Sequence, residues 1–167
     1  MQDAAAKKRT KLAEKRLVKQ FKKNGWPLDL INEFAPLKWS SKAIGSHPYD
    51  LIYPGFIDLN DPDDQDVFEI CGEHFLPFGS CANGDFVVVV VVEADAFKVG
   101  QVCLLSLALS GQGRELGYYV RFVCENLGTF FRKMSDGIFP VDCHDDSEVS
   151  PPLKAKLRKK KKATRKS

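Results

Sequence analysis

The stretch from His74 to Ser106 reads HFLPFGSCANGDFVVVVVVEADAFKVGQVCLLS, and its interpretation decides the fold. A short apolar run is followed by a polar turn that closes on Asn83-Gly84-Asp85. Six consecutive valines, Val87 to Val92, come next, then a second turn and a further apolar run from Gln101 to Leu105. β-Branched runs bounded by Gly, Asn and Asp read as strands, and connections this short imply an antiparallel meander. An unbroken valine run does not alternate apolar with polar, so side chains on both sheet faces must be buried. At roughly 1.5–3 kcal/mol for each fully buried valine, such a strand contributes on the order of 10 kcal/mol of burial free energy. It is expected to be central and covered on both sides.

Working outward, a chain of 167 residues with 44 % apolar content suits one globular domain. No run of 18 or more apolar residues is present to span a bilayer, and the lysine-rich opening has no apolar core of a signal peptide. The five cysteines, Cys71, Cys81, Cys103, Cys124 and Cys143, share no Cys-x-x-Cys spacing. A reducing, cytoplasmic setting without membrane attachment is the expectation.

Charge is segregated along the chain. Residues 1–42 hold eleven Lys/Arg against four acids, residues 43–97 hold eleven acids and no Lys or Arg, and residues 150–167 hold nine cations and no acid. Three regions follow: a basic helical N-terminal extension over 1–42, an α+β domain over 43–149 and a basic disordered tail over 150–167. Asp3 to Lys23 reads as a helix with a narrow apolar stripe of Leu12, Leu17, Val18 and Phe21, capped at Asn24-Gly25. A stripe so thin implies light docking or projection. A short helix opened by Pro27 ends before Pro36, and Ser40 to Pro54 reads as an irregular connection. Asp61-Pro62 starts a helix, with Asp as N-cap and Pro at the first position.

Phe75-Leu76-Pro77-Phe78-Gly79, a small polar loop, Asn83-Gly84-Asp85 and a hydrophobic strand resemble the middle of the SUKH (SMI/KNR-type) superfamily. The likeness continues through Val99-Gly100-Gln101-Val102, the strand Gly117 to Phe122 and an amphipathic helix from Asn126 to Met134, covering residues 53–139. That superfamily includes bacterial toxin-immunity proteins and a fungal regulator of cell-wall assembly. The resemblance implies a twisted, mainly antiparallel sheet of about four to six strands with packed helices. It also implies a non-catalytic protein-binding function, such as an immunity protein occluding a cationic toxin, for example a nuclease.

The candidate partner-binding surface is acidic: Asp58, Asp61, Asp63, Asp64, Asp66, Glu69 and Glu73, with the turn residues Asn83 and Asp85. Acids in the first turns of a helix complement its dipole, which is the structural explanation. The absence of cations across residues 43–97 favours docking, because an ordinary solvated face mixes signs. Asn83-Gly84-Asp85 also has a purely structural role, in that Asn and Gly supply the positive φ of a tight turn. A metal site at Asp61-x-Asp63-Asp64-x-Asp66 lacks the Gly and Glu that an EF-hand requires at its sixth and twelfth positions.

No catalytic residue is expected. Cys143-His144-Asp145 places its groups side by side, where in-line proton transfer is hard to achieve. No nucleophile elbow, phosphate loop or dinucleotide fingerprint occurs, so neither cofactor nor metal is implied. The alternative function is a nucleic-acid- or ribosome-associated adaptor anchored by the basic termini. It rests on Lys154, Lys156, Arg158, Lys159, Lys160, Lys161, Lys162, Arg165 and Lys166, whose binding would be non-specific because no aromatic interleaves them.

Overall fold

The computed structural model describes residues 3–45, 47–57, 65, 69, 71–81, 84–106 and 115–138. It is an α+β fold. Five strands form one antiparallel sheet in sequential order: β1 (Asp50–Leu51), β2 (Phe75–Ser80), β3 (Phe86–Val90), β4 (Val102–Leu105) and β5 (Val120–Cys124). The helices are α1 (Ala4–Asn24), α2 (Leu30–Glu33), α3 (Leu116–Tyr119) and α4 (Leu127–Ser135), with 3-10 turns at Ala35–Leu37, Ser41–Ile44 and Pro54–Phe56.

The valine run occupies the centre of the sheet and alternates between its faces. Val87, Val89 and Val91 join the larger core cluster, whereas Val88 and Val90 join the smaller one on the opposite face. Strand pairing ends at Val90, but Val91 stays buried and donates its N–H to the His74 carbonyl at 2.8 Å. Cross-strand pairs Leu76 with Val89 and Val89 with Val102 tie β3 to both neighbours. Two irregularities re-aim the chain, one between Pro77 and Gly79 in β2 and one in β5 opposite Val102 and Cys103. Pro77 has no N–H to give, and it lies where β1, paired only with Gly79 and Ser80, no longer covers β2.

The larger cluster fills the space between the sheet and the N-terminal third of the chain. Ala13, Leu17 and Phe21 of α1, then Trp26, Leu30, Ile31, Phe34 and Leu37, pack with Leu76, Phe78, Leu104 and the α4 residues Phe130, Phe131 and Met134. Phe78 meets Phe34 and Phe130 edge-on, at ring separations of 5.4 and 5.6 Å. Residues 1–42 are therefore not an appendage to a domain that begins at 43. They cover one face of the sheet. The buried seam of α1 is Thr10, Ala13, Leu17 and Phe21, and Leu12 is 54 % exposed. At about 100° per residue Leu12 lies half a turn from Phe21, which is why it cannot share that seam. Gly55 lets the chain pass against the α1 backbone, since a β-carbon there would sit 2.7 Å from the Ala13 carbonyl carbon.

Several local expectations hold. Gly25 caps α1 with φ +67°, and the helix expected over Asn126 to Met134 is α4, entered through Asn126, whose side chain accepts from the Thr129 N–H at 2.8 Å. The connection from Ser40 to Pro54 is more ordered than its composition suggests, containing a 3-10 turn and β1. The strand expected from Gly117 starts at Val120, because Leu116–Tyr119 forms a helical turn first. The second face of the sheet is closed by Cys71, Phe75, Phe97, Cys103, Leu105 and Val120, with Leu116 and Tyr119 of α3 beside them.

Candidate partner-docking surface

Successive turns of an antiparallel meander fall at alternating ends of the sheet. The residues before β2, between β3 and β4, and after β5 consequently share one end. Those residues are acidic: Glu73 precedes β2, Glu93 and Asp95 follow β3, and Glu125 follows β5, all exposed. Lys98 is the cation in the same β3–β4 turn. The end is rigidly built. The His74 carbonyl accepts from Val91 and Val92 N–H at 2.8 and 3.4 Å, and Ala94 and Phe97 bridge each other. Asp95 sits at φ +52°, a left-handed position that Asp tolerates better than most side chains. Gln101 accepts from the Lys98 N–H at 2.9 Å and donates to the Glu125 carboxylate at 3.1 Å, joining the β3–β4 turn to the end of β5.

Helix α2 brings Glu33 here, and its N-cap residue Asp29 adds a second acid. Leu30 lies 3.8 Å from where a Gly100 β-carbon would be, and the Glu33 carboxyl is bonded to the Leu127 backbone. Burial raises the Glu33 carboxyl above its ordinary value; the neighbouring Asp29 charge raises it further, and the Leu127 hydrogen bond opposes both.

Of the acids expected from sequence, Glu69 and Glu73 are exposed, and Gln65, Glu69 and Cys71 have helical backbone as anticipated for that segment. Asp58, Asp61, Asp63, Asp64, Asp66 and Asn83 lie outside the described residues, as does the tail from Lys154 to Lys166. Asp85 is a correction. It is 1 % exposed, and its carbonyl accepts from the Cys81 N–H at 2.8 Å, so it belongs to the β2–β3 turn and offers no carboxylate to a partner. Gly84 has φ +89°, in keeping with the structural reading of that turn. Glu93, Asp95, Glu125, Asp29 and Glu33 were not singled out from sequence. The meander connectivity was the signal that places the first three.

A second charged surface lies on α1. Its cations Lys7, Lys8, Arg9, Lys11, Lys15, Arg16, Lys19, Lys22 and Lys23 are all exposed. The one acid within the helix, Glu14, pairs with Lys38, and Arg9 lies over the Phe56 ring at 5.4 Å. A shallow groove along this side is lined by Lys11, Glu14, Lys15, Val18, Lys19 and Lys22.

Among the described residues no cluster of three or more His, Cys, Asp or Glu is arranged to hold a metal ion. Cys71, Cys103 and Cys124 are free thiols. Burial pushes Cys71 up to about 12 and Cys124 up to about 11, values that disfavour the reactive thiolate. No helix among the described residues is long and apolar enough to cross a membrane. No protein-family model matches the chain, and neither a curated protein nor a solved structure does.

Proposed function

We propose that this chain is a non-catalytic protein-binding domain of the SUKH type, and that it docks a cationic partner through the acidic end of its sheet. The observation that carries the reading is the gathering of Glu73, Glu93, Asp95 and Glu125 at one sheet end, reinforced by Asp29 and Glu33. Glu69 and Cys71, helical in backbone, precede the turn that carries Glu73 into this end. Acidic fields of this kind attract basic surfaces from a distance and raise association rates by orders of magnitude at low salt. A nuclease cleft, basic because it holds phosphates, is the type of partner that such a field fits, and an immunity protein is the type of molecule that carries one.

The test is capture from the native cell with the full-length chain and with a Glu73→Lys, Glu93→Lys, Asp95→Lys variant. A basic protein retained by the first, lost from the second and released by salt supports the reading. Equal retention by both excludes the sheet end as the docking surface.

A further inference from the structure

The cationic side of α1 has no part in the acidic-end reading, and its geometry points to a different ligand. Helix α1 buries Thr10, Ala13, Leu17 and Phe21 in a narrow seam and leaves the rest of its circumference in solvent. At about 100° per residue, Lys8, Lys15 and Lys19 form a crest opposite that seam. Lys11 and Lys22 flank the crest on one side, Arg16 and Lys23 on the other, with the flanks roughly a third of a turn apart. From Lys8 to Lys22 the crest and first flank extend about 21 Å at 1.5 Å per residue. Glu14 is engaged by Lys38, so no acid of the helix neutralises the array.

We propose that this face docks duplex DNA by its phosphate rows, without reading sequence. A membrane is the poorer occupant. A surface-lying helix inserts an apolar face, and here Phe21 and Leu17 are fully buried, leaving Leu12 as the exposed large apolar residue of the helix. Single strands bind on aromatic platforms, and this face has none: Phe21 is buried and Phe56 lies beneath Arg9. A helix about 10–12 Å across fits a major groove about 12 Å wide, and its two cationic flanks then meet the two bordering phosphate rows. The major groove of an RNA duplex is too narrow to admit it. The crest lysines have side chains long enough to turn back to the bordering phosphates, and contacts of that kind position the helix on the backbone without specifying bases.

The test is fluorescence anisotropy of a mixed-sequence 24-base-pair DNA duplex titrated with the full-length chain over a salt series. Replacing Lys8, Lys11, Lys15, Lys19 and Lys22 by Gln preserves helix propensity, and circular dichroism checks that the fold persists. The expected result is an affinity loss of about 100-fold at low salt, with the log–log salt slope shallower by about four units, since each neutralised phosphate contributes about 0.9. The corresponding five Arg substitutions should bind as the natural chain does. Single Gln substitutions, each lowering the slope by about one unit, carry the same test should the five-fold variant misfold. The α1 effect should persist in a chain whose cations from Lys154 to Lys166 are also Gln. Unchanged affinity and slope in the α1 variant would overturn the proposal. Equal affinity for an RNA duplex of the same length would do so too, as would retention on anionic vesicles without binding to DNA.

Discussion

Tyr53 shows how individual residues set the chemistry of the interior. It is 1 % exposed, stacks edge-on against Phe56 at 5.8 Å, and its hydroxyl has no hydrogen-bond partner among the described residues. Burial, and secondarily the Glu14 charge, pushes its phenol up to about 12. An unpartnered buried hydroxyl costs about 1–3 kcal/mol, so Tyr53→Phe should be neutral or stabilising by up to about 1 kcal/mol in a urea melt at pH 7. A loss above about 2 kcal/mol would mean that the hydroxyl is bonded. The pH dependence follows from the same burial. Thiols of the unfolded chain ionise near 9 and tyrosine near 10, whereas Cys71 and Tyr53 hold their protons to about 12 and Cys124 to about 11 in the fold. The native state then binds more protons than the unfolded state from about pH 9 upward, so stability should be fully present below pH 9 and fall as pH rises toward 12. Tyr53→Phe should lessen the part of that fall lying above pH 10, the two thiols supplying the rest. Melts at pH 7, 9 and 10.5 measure this, and a flat profile would contradict it.

The elements were legible to different degrees, for physical reasons. The valine strand could be read because a run without polar alternation has a single stable placement, between two cores. Val89 and Val90 are both fully buried, on opposite faces. Replacing either by Asp leaves an unpaired charge in the interior, with an expected loss of several kcal/mol; soluble, cooperatively folding V89D and V90D proteins would contradict the central position of β3. Helix α1 was read less well. Its narrow stripe suggested loose attachment, yet a seam of small and large residues, Thr10, Ala13, Leu17 and Phe21, lets the helix approach closely enough for Gly55 to touch its backbone. Leu17→Ala should therefore cost about 2–5 kcal/mol, whereas Leu12→Ala, at an exposed position, should stay within about 0.5 kcal/mol. Equal effects in paired urea melts would return α1 to the status of an appendage. Strand β1, two residues long, was missed because so short a pairing carries no periodicity.

At the scale of the whole molecule, connectivity concentrates charge that is spread thinly along the chain. Glu73, Glu93, Asp95 and Glu125 span 52 positions of sequence and meet because a meander returns every second turn to the same end. The acidity of residues 43–97 was visible from composition, but its focus depends on strand order, and Glu125 lies beyond that segment altogether. The opposite sign collects on α1, where helical geometry turns a basic stretch into a continuous face. On the two proposals made above, one surface would meet a cationic protein and the other a polyanion. The central claim concerns the first. The most direct measurement is the association rate constant of the captured basic partner with the natural chain and with the Glu73→Lys, Glu93→Lys, Asp95→Lys variant, at 0.05 and 0.5 M salt. Electrostatic docking predicts a rate at least tenfold slower for the variant at low salt, and a gap that closes at high salt as the screening length shrinks to about 4 Å. Equal rates at low salt would contradict docking through the acidic end of the sheet.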